Sequence, residues 1–222
     1  MAKIIQGNQV VTNEVRFSYP HFFVPYTNDP AQPGKYSGTF LLPKSDTETY
    51  QLLMQVIEAQ KALAAQSKWN GVVPPIVPTP IHDGDGVKQD GTPFPDECKG
   101  HWVFSASAKA DYKPEVVNAQ RVPITNQTEI YAGCYGQVCI NVFAYSYQGK
   151  KGIGFGLGPI MKTRDGEPLG GGSTSAASAF GAPEGGAASV FAQPAPQPVP
   201  GFVNAPPAVD PITGQPITPP WN

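Results

Sequence analysis

Alternation of apolar and polar residues with a period of two dominates the first three quarters of the chain, and this pattern predicts β-strands. The predicted strands cover residues 14–23, Lys35–Pro43, 101–108 and Tyr135–Tyr147, and a further short strand is predicted within residues 113–124. Residues 70–100 are rich in Pro, Gly and Asp, so they predict a long irregular excursion with room for one short strand.

One helix is predicted, from Thr47 to about Gln66. Ser45 and Glu48 form an S-x-x-E capping box at its start. Its apolar residues recur at helical spacing and form one stripe: Leu53, Val56, Ile57, Leu63 and Ala64. A helix with a single apolar stripe packs against a sheet. The chain is therefore predicted to be mainly β, a small barrel or a strongly curved sheet. The leading candidate is an oligonucleotide-binding (OB) fold, a barrel of five to six strands with one prominent helix.

The last predicted strand returns through a hairpin with an uncommon pattern. Aromatic residues occupy alternate positions before the turn (Phe143, Tyr145, Tyr147), and glycines occupy alternate positions after it (Gly152, Gly154, Gly156, Gly158). A turn of two or four residues is expected to place Tyr147 opposite Gly152, Tyr145 opposite Gly154 and Phe143 opposite Gly156. The opposite face then holds core residues: Val142, Ala144, Ile153, Phe155 and Leu157. Two interpretations of the rings stay open, a binding surface or part of the core, because an odd turn or a bulge changes the pairing.

The composition changes after residue 166, and the change predicts two regions. Residues 167–222 hold 12 of the 26 prolines, 8 of the 24 glycines, no Lys or Arg, and three acidic residues. Such a segment has too little apolar surface to offset the entropy of ordering it. We therefore predict one OB domain over residues 1–166 and a disordered Pro/Gly-rich tail over residues 167–222.

The charges of the predicted domain nearly balance. All 15 basic residues lie within residues 1–166, together with 14 of the 17 acidic residues, which gives a net charge of +1. That charge is far below the charge of a protein that coats duplex DNA in general. A nucleic-acid-binding domain of this composition must concentrate its cations in one groove.

Residues able to hold a metal or to catalyse a reaction do not fall into a recognised spacing. Cys98, Cys134 and Cys139 are an odd number in a chain without an apparent signal peptide, which favours reduced thiols. The Cys98/His101 pair lacks converging partners for zinc, because residues five apart on a strand point to opposite faces. The sequence HDGDG at residues 82–86 lacks the later ligands of a calcium loop and predicts a turn. We predict no metal, no cofactor and no enzymatic activity.

The remaining candidate functional residues are aromatic residues interleaved with cations. Proteins that bind single-stranded nucleic acid need this mixture. Phosphates need Lys or Arg, and an unstacked base gains about 1–3 kcal/mol by stacking on a ring. The residues predicted to stack are Tyr112, Tyr145 and Tyr147, with Tyr19 and Phe143 beside them. The residues predicted to pair with phosphates are Arg16, Lys109, Lys113, Lys150 and Lys151, with Lys162 and Arg164 as weaker candidates.

Several stretches together resemble a known family. They are, in order, VRFSYPHFFVP, KYSGTFLLPKSDTET, Trp69 with Gly71, HDGDG, GHWVFSASAK, PEVVN and IYAGCYGQVCINVFAYSYQGKKGIGFGLGPIMKTRDGEPLGG. The series is similar to that of a family of bacteriophage-encoded single-stranded DNA-binding proteins, once known only as a domain of unknown function. The resemblance implies an OB fold and a protein that coats and protects single-stranded DNA without sequence preference. It also implies a role in phage replication, recombination or repair, in the cytoplasm of the infected bacterial host.

The predicted tail departs from the plan of cellular single-strand binders, which end in a strongly acidic segment. It ends in PPWN and repeats the motif SAFGAP as SVFAQP eleven residues on. Two interpretations stay open, recruitment of phage or host replication proteins by spaced aromatics and a bare spacer. The alternative for the whole chain is a small β-barrel virion protein whose tail is an extended arm. The residues leave the oligomeric state open between monomer and dimer.

Overall fold

The computed structural model describes residues 1–88, 90–147 and 149–169, which all belong to one folding unit of the chain. The elements are β1 Lys3–Ile4, β2 Gln9–Val11, β3 Val15–Tyr26, β4 Lys35–Pro43, α1 Thr47–Ser67, β5 Ile81–Asp83, β6 His101–Lys109, β7 Val116–Val117, β8 Tyr135–Tyr147 and β9 Lys150–Arg164. Apart from residues 167–169, the predicted tail lies outside the described residues. Leu169 donates its backbone N–H to the Ala132 carbonyl at 2.7 Å, so the chain is still held against the domain there.

Five strands close into a barrel in the order β3-β4-β6-β9-β8, with β8 pairing back to β3. Every pairing in this ring is antiparallel except that of β6 with β9, which is parallel at Ser107 and Gly156. This is the topology of the OB barrel, so the predicted fold is confirmed. The strands β1 and β2 extend the sheet beyond β8, and β7 extends it beyond β9.

The inside of the barrel is filled by the apolar residues whose alternation predicted the strands. Phe17, Phe40 and Phe104 are fully buried, and the centroid of the Phe40 ring lies 5.7 Å from that of Phe17 and 5.4 Å from that of Phe104. Edge and offset contacts of this kind add to the free energy gained by burying the rings. Period two therefore separates the inner face of the barrel from its outer face, which is itself covered at Leu41 and Val103 by Cys98, Phe94 and Leu169.

The helix α1 covers one end of the barrel, and its start differs from the prediction. The N-cap is Asp46, whose carboxylate accepts the backbone N–H of Thr49 at 3.1 Å. The prediction of Ser45 as the cap is wrong by one residue, because the Asp46 carboxylate reaches the free backbone donor. Leu53, Val56 and Ile57 are buried as predicted, whereas Leu63 is 58% exposed and does not belong to the buried stripe.

The β8–β9 hairpin has a two-residue turn between Tyr147 and Lys150. Tyr145 consequently pairs with Gly152, Phe143 with Gly154 and Asn141 with Gly156. The predicted partners are wrong by two residues, but the predicted faces are confirmed, because a shift of two leaves every side chain on the same side. The core residues predicted for the other face are all buried: Val142, Ala144, Ile153, Phe155 and Leu157.

The excursion between α1 and β6 is fastened by the HDGDG turn. The Lys44 ammonium lies 2.5 Å from an Asp83 carboxylate oxygen and 2.6 Å from one of Asp85. These hydrogen bonds from Lys44 hold the pKa of both carboxyl groups below its ordinary range. Asp85 also accepts the backbone N–H of Gly100 at 2.9 Å. Asp83 and Asp85 thus stabilise the turn that the sequence predicted, and both also form ion pairs with Lys44.

Candidate nucleic-acid interface

The rings of Phe143 and Tyr145 lie on the outside of the barrel, over Gly154 and Gly152 of β9. A Cβ added at Gly152 would lie 2.5 Å from the Tyr145 hydroxyl, and one at Gly154 would lie 2.7 Å from Cζ of Phe143. Only glycine leaves room for rings in this position. Phe143 is 40% exposed, so its outer ring surface faces solvent rather than core. We call this outer surface of β8 and β9 the aromatic–glycine face. The exposure of Phe143 shows that the rings on this face are not part of the core.

The aromatic–glycine face continues into a groove of about 850 Å³, which we call the main groove. Its floor is the outer side of β8 and β9 about Asn141, Gly156 and Gly158. Its walls are β1, β2, the end of β6 and the loops that carry Tyr112 and Arg121. Side chains are missing from the floor at the two glycines, so a ligand can approach the strand backbone there.

Cations line the main groove without partners. Lys3, Lys109 and Arg121 border it, and its described lining includes no carboxylate. None of the three makes an ion pair or a side-chain hydrogen bond to another described residue. By contrast, five cations elsewhere pair with carboxylates: Lys44, Lys61, Lys99, Lys162 and Arg164. A domain of nearly balanced charge thus places three cations and no described carboxylate around one groove, an arrangement that attracts an anionic polymer.

The structure brings Lys109, Tyr112 and Phe143 together at the main groove, out of the ten predicted site residues. Tyr145, Tyr147 and Lys150 continue the aromatic–glycine face toward the hairpin turn, as the pairing of Tyr145 with Gly152 and of Tyr147 with Lys150 shows. Lys151 occupies the opposite side of β9 and donates to the Trp69 carbonyl at 3.2 Å. That contact gives it a role in holding the hairpin to the end of α1.

Three predicted residues lie away from the main groove. Arg16 donates to the carbonyls of Gly133, at 3.3 Å, and Glu167, at 2.6 Å, and so fixes the segment that follows β9. The Lys113 ammonium lies 6.0 Å from the ring centroid of Phe23. Tyr19 borders a separate pocket.

Two residues of the main groove were missed by the sequence reasoning. Lys3 belongs to a two-residue strand, too short to show periodicity. Arg121 sits in a tight turn where Asn118 Oδ1 accepts the backbone N–H groups of Gln120 and Val122, each at 3.0 Å. Asn118 is a residue type typical of such turns, so the sequence could have indicated the turn that carries Arg121. Nothing in the sequence placed that turn beside the hairpin.

The weaker candidate Arg164 is also committed to a structural contact. Its guanidinium lies 3.5 Å from the ring centroid of Tyr135 and donates to the Glu14 carboxylate at 2.8 Å. Burial raises the pKa of Glu14, but hydrogen bonds from Arg164 and Thr163 outweigh it and leave the pKa below its ordinary value. A carboxyl group whose pKa is lower in the folded chain stabilises the fold at pH values above its pKa in the unfolded chain. This stabilisation is lost as the pH falls through the folded-state pKa.

Replacing Glu14 by glutamine is therefore expected to lower the free energy of unfolding at pH 7, by no more than about 1 kcal/mol because the pair is partly exposed. The difference from the native chain should shrink as the pH falls below about 4.3, where the unfolded chain takes up its proton, and vanish only below the lower pKa that Glu14 has in the folded chain. Urea unfolding at pH 7 and pH 3.5 measures both values. Glu58→Gln, which removes an exposed helical pair with Lys61, is the control. A Glu14→Gln effect of equal size at both pH values would contradict the ion-pair explanation.

The ring position over glycine makes a second prediction. Gly154→Val must tip the Phe143 ring away from the strand, since its Cβ would overlap the ring. We expect a loss of single-strand affinity of roughly 5-fold or more, equivalent to one weakened stacking contact of about 1 kcal/mol. The matched control is the same substitution in a Phe143→Ala background, where it should cost nothing further. An equal loss in both backgrounds would show that the valine acts otherwise than through the ring.

The three cysteines are free thiols, with Cys98 and Cys134 buried and Cys139 half-buried. Burial is the main cause that raises the pKa of all three thiols. Within residues 1–88, 90–147 and 149–169 there is no group of three or more His, Cys, Asp or Glu side chains arranged to hold a metal ion. The same residues include no helix long and apolar enough to span a membrane.

An OB barrel with exposed rings and unpaired cations along one outer groove is typical of proteins that hold single-stranded nucleic acid. The family model described as "Enterobacter phage Enc34, ssDNA-binding protein" matches residues 8–189. This chain belongs to that family, and the resemblance stated from its motifs is confirmed.

The individual relatives agree with the family assignment. The single-stranded DNA-binding protein from bacteriophage Enc34, solved in complex with ssDNA, has 28% sequence identity, and the match covers 76% of this chain and 93% of that one with a TM-score of 0.61. "Putative protein p50" of Acyrthosiphon pisum secondary endosymbiont phage 1 is 28% identical over 182 residues, 78% of this chain and 92% of that protein. Gp2.5, a single-stranded DNA-binding protein of bacteriophage T7, shares the fold at 14% identity, with a TM-score of 0.54 and coverage of 85% of this chain and 100% of that one.

Proposed function

We propose that this chain binds single-stranded DNA without sequence preference, with the strand along the aromatic–glycine face and through the main groove. The observation that carries the proposal is the main groove itself, where three unpaired cations and exposed rings meet over bare glycine backbone. The cations attract phosphates, and the flat rings of Phe143 and Tyr145 offer stacking surfaces that every base can use. Backbone and stacking contacts carry no sequence information, which explains the expected lack of preference.

The contact set we propose refines the set predicted from sequence. Phe143, Tyr145, Tyr147 and Tyr112 stack on bases, and Lys3, Lys109, Arg121 and Lys150 pair with phosphates. Arg16 and Lys151 leave the set because their side chains already bind backbone carbonyls of the domain.

The family and the ssDNA-bound structure of the Enc34 relative support a proposal for the biological role. We propose that the chain coats and protects single-stranded DNA during phage replication, recombination or repair, in the cytoplasm of the infected bacterium. It acts by binding rather than by catalysis. Residues 167–222 are the proposed contact region for phage or host replication proteins. The alternative of a virion barrel has no observation in its favour.

The direct experiment is a titration of fluorescein-labelled dT20 with the full chain, followed by fluorescence anisotropy at 50 mM and 500 mM salt. We expect tight binding at low salt and a steep loss at high salt, since phosphate contacts release counterions. Labelled strand incubated with the protein and Mg²⁺ or Mn²⁺ should stay intact. No binding at 50 mM salt would reject the proposed function, and cleavage of the strand would reject a purely binding role.

A further inference from the structure

The floor of the main groove carries an amide side chain, Asn141 of β8, which is half-buried and lies two residues before Phe143. Residues two apart on a strand share a face, so Asn141 belongs to the same outer surface as the Phe143 ring. A Cβ added at its β9 partner Gly156 would lie 3.3 Å from Asn141 Cβ and 3.8 Å from Asn141 Nδ2. Because glycine carries no side chain there, a ligand in the groove can reach the amide.

Asn8 holds this amide in place from the other side. It lies in the turn between β1 and β2, and its backbone carbonyl accepts the N–H of Val142 at 2.8 Å. Its side-chain Nδ2 donates to the Val142 carbonyl at 3.1 Å and to Asn141 Oδ1 at 2.6 Å. Three hydrogen bonds therefore fix Asn8 against β8.

These contacts determine which end of each amide faces the groove. A backbone carbonyl can only accept, so the end of the Asn8 amide beside Val142 is its NH2 group. The same NH2 group meets the Asn141 side chain, which must turn its carbonyl oxygen toward Asn8. The NH2 group of Asn141 is left on the side of Gly156, where it donates to no other described residue.

A free NH2 donor at this position suits a nucleobase of any kind. Every base has at least one acceptor on its edge: O2 and O4 in thymine, O2 in cytosine, ring nitrogens in adenine, and O6 and N7 in guanine. A donor whose carbonyl oxygen is already occupied detects the presence of a base without distinguishing the four bases. Such a contact agrees with binding that lacks sequence preference.

The surroundings of Asn141 favour a base over a phosphate. The three cations of the main groove lie on its walls, and a neutral amide competes poorly with them for an anion. Asn141 lies on the floor, with its Cα about 7 Å from that of Phe143 at the rise of an extended strand. A base stacked on the Phe143 ring therefore has an edge close to the Asn141 amide.

We propose that Asn141 donates a hydrogen bond from Nδ2 to the edge of a base that stacks on Phe143. Asn8 is the positioning residue, since its own NH2 group keeps the donor end of the Asn141 amide turned toward the groove. The proposal rests on the proposed function and deepens it, because it adds a contact to the bases that is neither stacking nor charge pairing.

The test compares dT20 with a strand of the same length in which difluorotoluene replaces every thymine. Difluorotoluene has the shape of thymine and stacks, but it has almost no capacity for hydrogen bonds. Both labelled strands are titrated with the native chain and with Asn141→Leu, which keeps a side chain of similar size and removes the donor. We expect Asn141→Leu to bind dT20 roughly 3- to 10-fold more weakly, the effect of one hydrogen bond. The same loss is expected with dC20 and dA20, and no loss with the difluorotoluene strand.

Asn8→Ala tests the positioning role in the same titration. Without Asn8 the Asn141 amide can present either end, so the donor faces the groove about half of the time and affinity for dT20 should fall roughly 2-fold. In an Asn141→Leu background the same substitution should cost nothing further. An equal loss in both backgrounds would show that Asn8 only supports β1 and β2.

Native affinity of Asn141→Leu for dT20 would overturn the proposal. An equal loss with dT20 and with the difluorotoluene strand would also overturn it, because the amide would then act on the phosphates or on the fold. A loss confined to one of the three homopolymers would contradict a contact that all bases share. Asn141→Ala carries the same expectations should leucine lower the stability measured in urea.

The native chain separates this proposal from the proposed function. If it fails to bind dT20 at 50 mM salt, the proposed function itself fails. If it binds dT20 and the Asn141 variants bind equally well, only the base-edge contact is rejected.

Discussion

Replacing Phe143 and Tyr112 together by alanine is expected to weaken binding of dT20 by at least roughly 30-fold, because each stacked base contributes about 1–3 kcal/mol. Phe143 reaches the main groove from β8 and Tyr112 from the loop after β6. Both rings are exposed, 40% for Phe143 and 70% for Tyr112, so their removal should leave the stability of the fold nearly unchanged.

Two further double variants separate stacking from other effects in the same anisotropy titration. Phe143→Leu with Tyr112→Leu keeps apolar side chains but no aromatic surface, and we expect most of the loss to persist. Val72→Ala with Ile76→Ala changes two exposed apolar residues outside both cavities, and we expect native affinity. Native affinity for dT20 in the Phe143→Ala/Tyr112→Ala variant, or in the Phe143→Leu/Tyr112→Leu variant, would contradict base stacking at the main groove.

Replacing Trp69 by alanine is expected to lower the free energy of unfolding by about 3–5 kcal/mol, the usual cost of deleting a large buried ring. Trp69 is fully buried, and its indole Nε1 donates to the Tyr145 carbonyl at 3.1 Å. Its own carbonyl accepts Lys151 Nζ, and Lys68 Nζ donates to the Ala144 carbonyl at 2.9 Å. These bonds fasten the end of α1 to the hairpin, so single-strand affinity should fall together with stability.

Urea unfolding followed by circular dichroism measures the loss of stability in Trp69→Ala. Trp69→Phe keeps most of the buried ring and removes the indole donor, so a smaller loss of about 1–2 kcal/mol is expected, with the Tyr145 carbonyl left without that partner. A stability of Trp69→Ala within 1 kcal/mol of the native chain would show that the helix end does not hold the hairpin.

Much of the fold could be predicted from the alternation of apolar residues. The strand limits Lys35–Pro43 and Tyr135–Tyr147 match the sequence prediction, because each strand has one buried face from end to end. The hairpin register could not be predicted in the same way. A turn of two residues and one of four place the same side chains on the same faces, so the pattern cannot tell Gly152 from Gly154 as the partner of Tyr145.

The candidate site was only partly predictable, because it is formed by segments distant in the chain. The rings and glycines of the hairpin are adjacent in sequence, and their pattern alone placed them on one surface. Lys3 and Arg121 reach that surface through the pairing of β1 with β2 and through the loop after β7, which no local pattern indicates. Conversely, Arg16 looked like a phosphate contact, but the structure places it beside backbone carbonyls that its guanidinium satisfies.

The salt dependence of dT20 binding tests the central claim most directly. We compare the native chain with Lys109→Gln/Arg121→Gln and with a control pair, Lys61→Gln/Lys99→Gln, whose cations lie outside the main groove. Each phosphate contact contributes about 0.7 to the slope of log K against log salt for a single strand, so the groove pair should lower the slope by about 1.4. The control pair should leave the slope unchanged. An unchanged slope for the groove pair, or an equal fall in the control pair, would contradict binding in the main groove.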